Sequence, residues 1–153
     1  MARINGPDGK IYSQPTPSAD GTTWAPFEDA NHIRTVRSAL GILTSKIANM
    51  KSANDYFSGL PGRQSFTDVV KDNRIWISYD PNGPDSAETV GLHITIGRTP
   101  LRWGLWAVAA TLVHELAHIN GATDIDGQAE KALLYCGLKQ HYVKSNSVPK
   151  PPR

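Results

Sequence analysis

The segment from Trp106 to His118 joins an apolar helix to three reactive side chains. Between Trp106 and Val113 it is almost uncharged and favours helix, and a helix that is apolar on nearly all sides is a buried helix. His114, Glu115 and His118 follow directly, where burial is unfavourable unless such groups are paired or bind a metal. This stretch therefore predicts a central helix around which the rest of the chain must pack.

The spacing of the three polar residues predicts a metal site. Residues four apart lie on the same face of a helix, so His114 and His118 can direct two imidazole rings at one ion. Glu115 projects about 100° round from His114, where its carboxylate can reach a water on that ion. Two neutral nitrogens, an open position and an adjacent base are the parts needed for hydrolysis by Zn²⁺. The competing interpretation is two core histidines bonded to backbone carbonyls, with Glu115 exposed.

A catalytic zinc ion usually has three protein ligands, so we expect an acidic third ligand nearby. Asp124 is the first choice, because a helix break at Gly121 lets the chain turn back under the metal. Glu130 is the second choice, since it lies at the edge of an apolar helical stripe, and it could alternatively orient a ligand histidine. Asp126 is a third candidate, although a cap at the start of the last helix suits it better.

Charge and cysteine content exclude several classes of protein. The formal net charge of +2 is too small to indicate a nucleic acid or a membrane surface as partner. The single cysteine, Cys136, excludes an intrachain disulfide framework and a multi-cysteine zinc site. We expect neither a transmembrane helix nor a secretory signal, because no long apolar span or apolar N-terminal region is present. The cellular location is otherwise unknown.

The chain length suits one domain, which we expect between an arm and a tail. Residues 1–27 are rich in Gly, Pro, Ser, Thr and Asp and predict an irregular arm. Residues 28–143 carry the helical and strand patterns of the folded domain. Residues 144–153 form a basic, Pro-rich tail that we expect to be loose.

Helical patterns account for most of the domain. An amphipathic helix is predicted from about 27 to 50, followed by a continuation or second helix at 52–57 and a short helical turn at 65–70. The motif helix is expected to open at Thr99–Pro100 and to end at Gly121. A final helix is expected from about 127 to 143.

Two β-branched and aromatic runs predict strands at 74–79 and 90–97, separated by strong turn chemistry at 80–85. We expect them to form a small antiparallel ribbon beside the motif helix, which makes the fold class α+β. The second strand, from Leu92 to Gly97, could pair with an extended substrate at the sheet edge, or be an internal strand without direct function.

The run from Leu112 to Leu138, LVHELAHINGATDIDGQAEKALLYCGL, resembles the active-site region of zincin metallopeptidases. More narrowly, it is similar to small metallopeptidase domains at the C-termini of bacterial polymorphic toxins, which are related to the aspzincin or deuterolysin-like group. In that group a helix-rich domain precedes a short strand, an H-E-x-x-H helix and an acidic third ligand. The resemblance covers residues 90–138, about a third of the chain.

Two departures limit the resemblance. Metzincins carry a methionine turn beneath the metal, but Met1 and Met50 both precede the motif here. The G-T-x-D-x-x-Y-G segment of aspzincins is not intact, and Gly121-Ala-Thr-Asp124 is a displaced counterpart. The H-E-x-x-H-x-x-G-x-x-D spacing also resembles snapalysin-type enzymes.

The resemblance implies a zinc-dependent endopeptidase with a zincin-like α+β fold, acting on a protein or peptide substrate. A toxin domain of this kind would have a cognate immunity protein as partner, and would be exported by a specialised system or as part of a larger protein. The alternatives are a non-catalytic, metal-stabilised binding module of the same fold and a peptidoglycan amide hydrolase. An oxyanion-stabilising residue would complete the site, and the sequence does not select among Tyr79, Tyr135, His141 and Tyr142.

Overall fold

The computed structural model describes residues 1–6, 9–11, 24–81 and 87–143. The tail at 144–153, the middle of the arm at 12–23 and most of the turn expected at 80–85 lie outside these residues. Within the described ranges no helix has both the length and the apolar character needed to cross a membrane.

The α+β fold class is confirmed, since the described residues contain six α-helices and one mixed sheet of four strands. The α-helices are α1 (Ala30–Ser45), α2 (Lys51–Ser58), α3 (Phe66–Val70), α4 (Arg98–Trp103), α5 (Leu105–Ile119) and α6 (Gln128–Tyr135). The strands are β1 (Arg3–Ile4), β2 (Trp76–Tyr79), β3 (Ala87–Val90) and β4 (His93–Ile96), and they lie side by side in the order β1-β2-β4-β3.

The pairing expected between the two predicted strands is wrong. β2 and β4 run parallel, with Trp76 opposite His93 and Tyr79 opposite Ile96. The antiparallel ribbon instead joins β3 to β4 through a two-residue turn at Gly91 and Leu92. Because β3 is hidden in a turn-rich stretch, the sequence pattern misses one reversal of the chain. With that reversal included, β4 becomes an internal strand and β3 becomes the edge.

The arm is not irregular throughout. Arg3 and Ile4 form the other edge of the sheet, parallel to β2, and Ala2 and Phe27 are buried in the core. A strand of two residues is too short to produce the alternation that marks a strand in sequence. Only tertiary pairing with β2 therefore defines it.

The motif helix is central, as predicted, but it begins later than expected. α5 is buried at every residue from Ala107 to Ala117 and packs against α1 and α6. Thr99 and Pro100 belong to the first turn of the separate helix α4. Gly104 divides the two helices with φ 103° and ψ −166°, a conformation that is essentially restricted to glycine.

The first and last α-helices are shorter than their patterns indicate. α1 ends at Ser45 and a 3-10 helix, Ile47–Asn49, takes the place of its expected last turn. The final helix ends at Tyr135 because Gly137, with φ 71°, reverses the chain before the 3-10 helix Lys139–His141.

Gly121 ends α5 as predicted, in the left-handed region with φ 90°. The N–H groups of Gly121 and Ala122 donate to the carbonyls of His118 and Ala117, over 3.0 and 2.9 Å. This is the Schellman arrangement, which satisfies the last carbonyls of a helix. A Cβ atom at Gly121 would also lie 2.9 Å from Pro61, so the turn packs tightly against the preceding loop.

Asn120, at the C-terminal end of α5, ties this turn to the loop after α2. Its Nδ2 donates to the carbonyls of Phe57 and Gln64, both over 2.8 Å, and its Oδ1 accepts from the Gln64 N–H over 3.2 Å. Asn120 is 1% exposed and Phe57 is fully buried, so water cannot take the place of the Asn120 amide at the Phe57 carbonyl. The end of α5 is consequently held from both the helix and the loop.

Replacing Asn120 with alanine should therefore lower the free energy of unfolding by about 2–3 kcal/mol, because the buried Phe57 carbonyl loses its hydrogen-bond donor. Chemical denaturation measures the change. Asn49→Ala is the matched control, since the exposed Asn49 side chain bonds only to the Ser45 carbonyl, and a change within about 0.5 kcal/mol is expected there. Equal losses in the two variants would contradict a special role for Asn120.

Candidate metal centre

His114 and His118 project from the last turns of α5, and their rings meet as the spacing predicts. The ring centroids are 4.8 Å apart, with the planes close to perpendicular at 78°. His114 is buried, whereas His118 is partly exposed. The helix therefore brings both imidazoles close enough together to contact one metal ion.

Hydrogen bonds leave the same nitrogen free in both rings. His118 Nδ1 lies 2.9 Å from the Ala122 carbonyl, and His114 Nδ1 lies 2.8 Å from Glu115 Oε2. Both partners only accept hydrogen bonds, so we assign the proton to Nδ1 in each histidine. Neutral rings in this tautomer carry a lone pair on Nε2, which is the form that binds metals.

Asp124 brings a carboxylate to these two free nitrogens. Its Oδ1 lies 3.2 Å from His118 Nε2 and 3.9 Å from His114 Nε2, while the rest of the side chain is largely exposed. Two Nε2 atoms and a carboxylate oxygen thus converge on one place. A proton on one ring would satisfy a single pair, whereas a metal ion would satisfy all three donors.

The spacing of these donors fits a small metal ion. Ligands of tetrahedral zinc, at about 2.0–2.1 Å from the ion, lie about 3.3 Å from one another. The observed separations of 3.2 and 3.9 Å between Asp124 and the two nitrogens lie close to that value. His114, Glu115 and His118 together also form a group that could hold a metal ion, with their ligand atoms within 4.8 Å of one another.

Glu115 is 4% exposed and lies against His114 and the edge strand. Its Oε2 accepts the His114 Nδ1 proton, and its Oε1 accepts the Thr89 hydroxyl over 2.9 Å. The competing interpretation is therefore wrong about an exposed Glu115 and about His114, although His118 does bond to a backbone carbonyl as that interpretation expects. Sequence reasoning missed Thr89, because its role follows from β3, which the sequence pattern did not reveal.

A cleft of about 490 Å³ opens beside these side chains. Edge strand β3 forms one wall and the end of α5 forms the other. The lining residues are Ala87, Glu88, Thr89, Gly91, His114, Glu115, His118, Ile119, Asp124 and Tyr142. Its volume falls in the range of ordinary ligand pockets.

The other two carboxylates considered as third ligands do not line the cleft. Asp126 accepts from the Thr123 hydroxyl and from the Gln128 N–H, as a residue at the start of α6 does. Glu130 is partly buried in the first turn of α6 and does not line the cleft. Of the three candidates, only Asp124 lines the cleft with both histidines.

Tyr142 is the oxyanion candidate that the fold brings into the cleft. Its ring stacks on His114, with centroids 4.8 Å apart and planes 16° from parallel. Burial raises the pKa of its hydroxyl, and the negative charges of Glu115, Glu130 and Asp124 raise it further. The hydroxyl therefore remains a hydrogen-bond donor at neutral pH.

The other oxyanion candidates are engaged elsewhere. Tyr135 stacks on Tyr56, and His141 stacks on Trp106. Tyr79 lies in β2, where Phe27 packs against its ring. None of these three lines the cleft.

No known protein family, curated protein or solved structure matches this chain.

Measuring the metal affinity of variants should show which of the three carboxylates is the third ligand. Asp124→Asn removes an anionic donor from the two free nitrogens, and we expect zinc affinity to fall at least about 100-fold. Competition with a chromogenic chelator measures it. Asp126→Asn, two residues along the same loop, is the matched control and should bind zinc like the parent protein. A large loss in Glu130→Gln with none in Asp124→Asn would instead identify Glu130 as the ligand.

Proposed function

We propose that this protein is a zinc-dependent endopeptidase. The observation that carries the proposal is the convergence of two imidazole Nε2 atoms and a carboxylate oxygen in an open cleft, with a second carboxylate beside them. The H-E-x-x-H spacing on a buried helix agrees with this arrangement.

His114, His118 and Asp124 would hold the ion, since two imidazoles and one carboxylate suit zinc and leave a position for a reactant. Bound zinc would supply Lewis acidity, which lowers the pKa of a water molecule and polarises a carbonyl group. The Glu115 carboxylate orients the His114 ring, and the Ala122 carbonyl orients the His118 ring. Each accepts a hydrogen bond from Nδ1 of its histidine.

Glu115 is the proposed general base. Its carboxylate lines the cleft, and one of its oxygens lies within 4.8 Å of a ring nitrogen of each histidine. Glu115 would take one proton from the attacking water and pass it to the amine that leaves when the peptide bond breaks. The hydroxyl of Thr89 and the His114 N–H each donate a hydrogen bond to this carboxylate and hold it at the wall of the cleft.

Tyr142 is the proposed donor to the oxyanion. It lines the same cleft as Glu115, and its raised pKa keeps the hydroxyl protonated. A donor directed at developing negative charge stabilises the transition state more than the ground state.

Strand β3 offers a place for an extended substrate. In the described part of the sheet β3 is an edge strand, and Ala87, Glu88 and Thr89 line the cleft. An extended peptide can pair with such an edge through backbone hydrogen bonds. Residues 92–97 contain β4, which lies between β2 and β3 and has no free edge for a substrate. We therefore assign the proposed substrate pairing to β3.

A second candidate is a metal-stabilised binding module without turnover. Glu115 is almost completely buried, has partners on both oxygens, and belongs to the group that could hold the ion. A fourth protein ligand would close the coordination, which is the mark of a structural zinc site.

Glu115→Gln separates the two candidates. An amide cannot accept the proton, so we expect kcat/KM for unfolded protein substrates to fall about 1,000-fold while zinc stays bound. Mass spectrometry of the cleavage products measures the rate, and Glu28→Gln, at an exposed position before α1, is the control. Full activity in Glu115→Gln would contradict the peptidase. A zinc-loaded parent protein without activity, with zinc affinity lost in the variant, would identify the closed site.

Tyr142→Phe should keep the ring stacked on His114 and remove the hydroxyl donor. We expect kcat to fall about 100-fold, with little change in zinc affinity. Steady-state kinetics on a cleaved peptide provides the measurement, and Tyr135→Phe, outside the cleft, should behave as the parent. An unchanged kcat in Tyr142→Phe would show that the oxyanion is stabilised elsewhere.

A further inference from the structure

Thr89 connects the sheet edge to the motif helix. Its hydroxyl lies 2.9 Å from Glu115 Oε1 and 3.4 Å from the Glu115 backbone carbonyl. Both groups accept hydrogen bonds, and the shorter contact runs to a carboxylate, which makes it the stronger one. Thr89 is separated from Glu115 by 26 residues in sequence, so tertiary structure alone brings them together.

The backbone register explains why Thr89 faces the helix. Thr89 lies opposite Ile94, a fully buried residue of β4, and the side chains of neighbouring residues in a strand point to opposite faces. Glu88 and Val90 therefore face away from α5, and Thr89 directs its hydroxyl at Glu115. A one-residue shift of β3 would remove this contact.

The two oxygens of Glu115 are held from different directions. His114 Nδ1 donates to Oε2 from within α5, whereas Thr89 donates to Oε1 from the strand. Two donors on separate elements restrain the rotation of a carboxylate that one donor would leave free. The carboxylate is consequently fixed relative to the edge strand as well as to the helix.

We infer that Thr89 is a positioning residue for Glu115, and this inference rests on the proposed peptidase function. The strand that would pair with an extended peptide also holds the base that acts on it. Pairing on β3 then sets the distance between the scissile bond and the Glu115 carboxylate. Small errors in such placement reduce rates strongly, because the reacting atoms must already be aligned.

The test compares Thr89→Val with Thr89→Ser. Valine keeps the shape and the strand preference but lacks the hydroxyl, whereas serine retains it. Thr95→Val is the matched control, since it makes the same change in β4 opposite Glu88, on the face of the sheet away from α5. Thermal unfolding of all three variants accounts for any general loss of stability.

For Thr89→Val we expect kcat to fall about 10- to 100-fold with KM nearly unchanged, since the base is displaced and the peptide still pairs. Thr89→Ser should recover most of kcat, and Thr95→Val should keep the parent value. Parent kcat in Thr89→Val, or equal losses in Thr89→Val and Thr89→Ser, would overturn the inference.

A second measurement does not depend on activity. In the zinc-free protein, nitrogen-15 NMR of the imidazoles reports the His114 Nδ1–H bond to Glu115. We expect its resonance to move and its solvent exchange to accelerate in Thr89→Val but not in Thr89→Ser or Thr95→Val. An unchanged His114 signal in Thr89→Val would overturn the positioning role. Altered signals in a protein without peptidase activity would uphold it while the proposed function fails.

Discussion

The turn that ends α5 is the constraint on which the candidate site depends. A buried helix must satisfy its last carbonyls, and Gly121 and Ala122 do so by folding the chain back against the helix. The same reversal places the Ala122 carbonyl under His118 and carries Asp124 up to both histidines. The turn that ends the helix therefore also brings the metal-binding side chains together. Asn120 holds this turn against the loop after α2 through its bond to the Phe57 carbonyl.

Burial explains why the polar groups of α5 are arranged as a network. A helix buried from Ala107 to Ala117 cannot expose His114 or Glu115 fully to water, so each must find a partner inside the protein. His114 and Glu115 bond to one another. Thr89, from the sheet, donates a hydrogen bond to Glu115, and Tyr142, from the chain after α6, stacks on His114. The resulting orientation leaves Nε2 of each ring facing the cleft.

Local patterns predicted what depends on local geometry. The spacing of His114 and His118, the stop at Gly121 and the proximity of Asp124 follow from helix periodicity and from the reach of a tight turn. The parallel pairing of β2 with β4 and the contact of Thr89 with Glu115 could not be predicted, because a short strand within turn-rich sequence reverses the chain once more. The selection of Tyr142 among four candidates likewise required tertiary packing.

The order of the strands has a consequence for how the protein folds. The cleft is lined by residues between Ala87 and Tyr142, whereas the sheet is completed by contacts such as Asn5 to Ser78, which are 73 residues apart. Closing a long loop has an entropic cost that short-range contacts avoid, so non-local pairing slows folding. The hairpin and α5 can therefore form early, and docking of the N-terminal strand is expected to be a later step of folding.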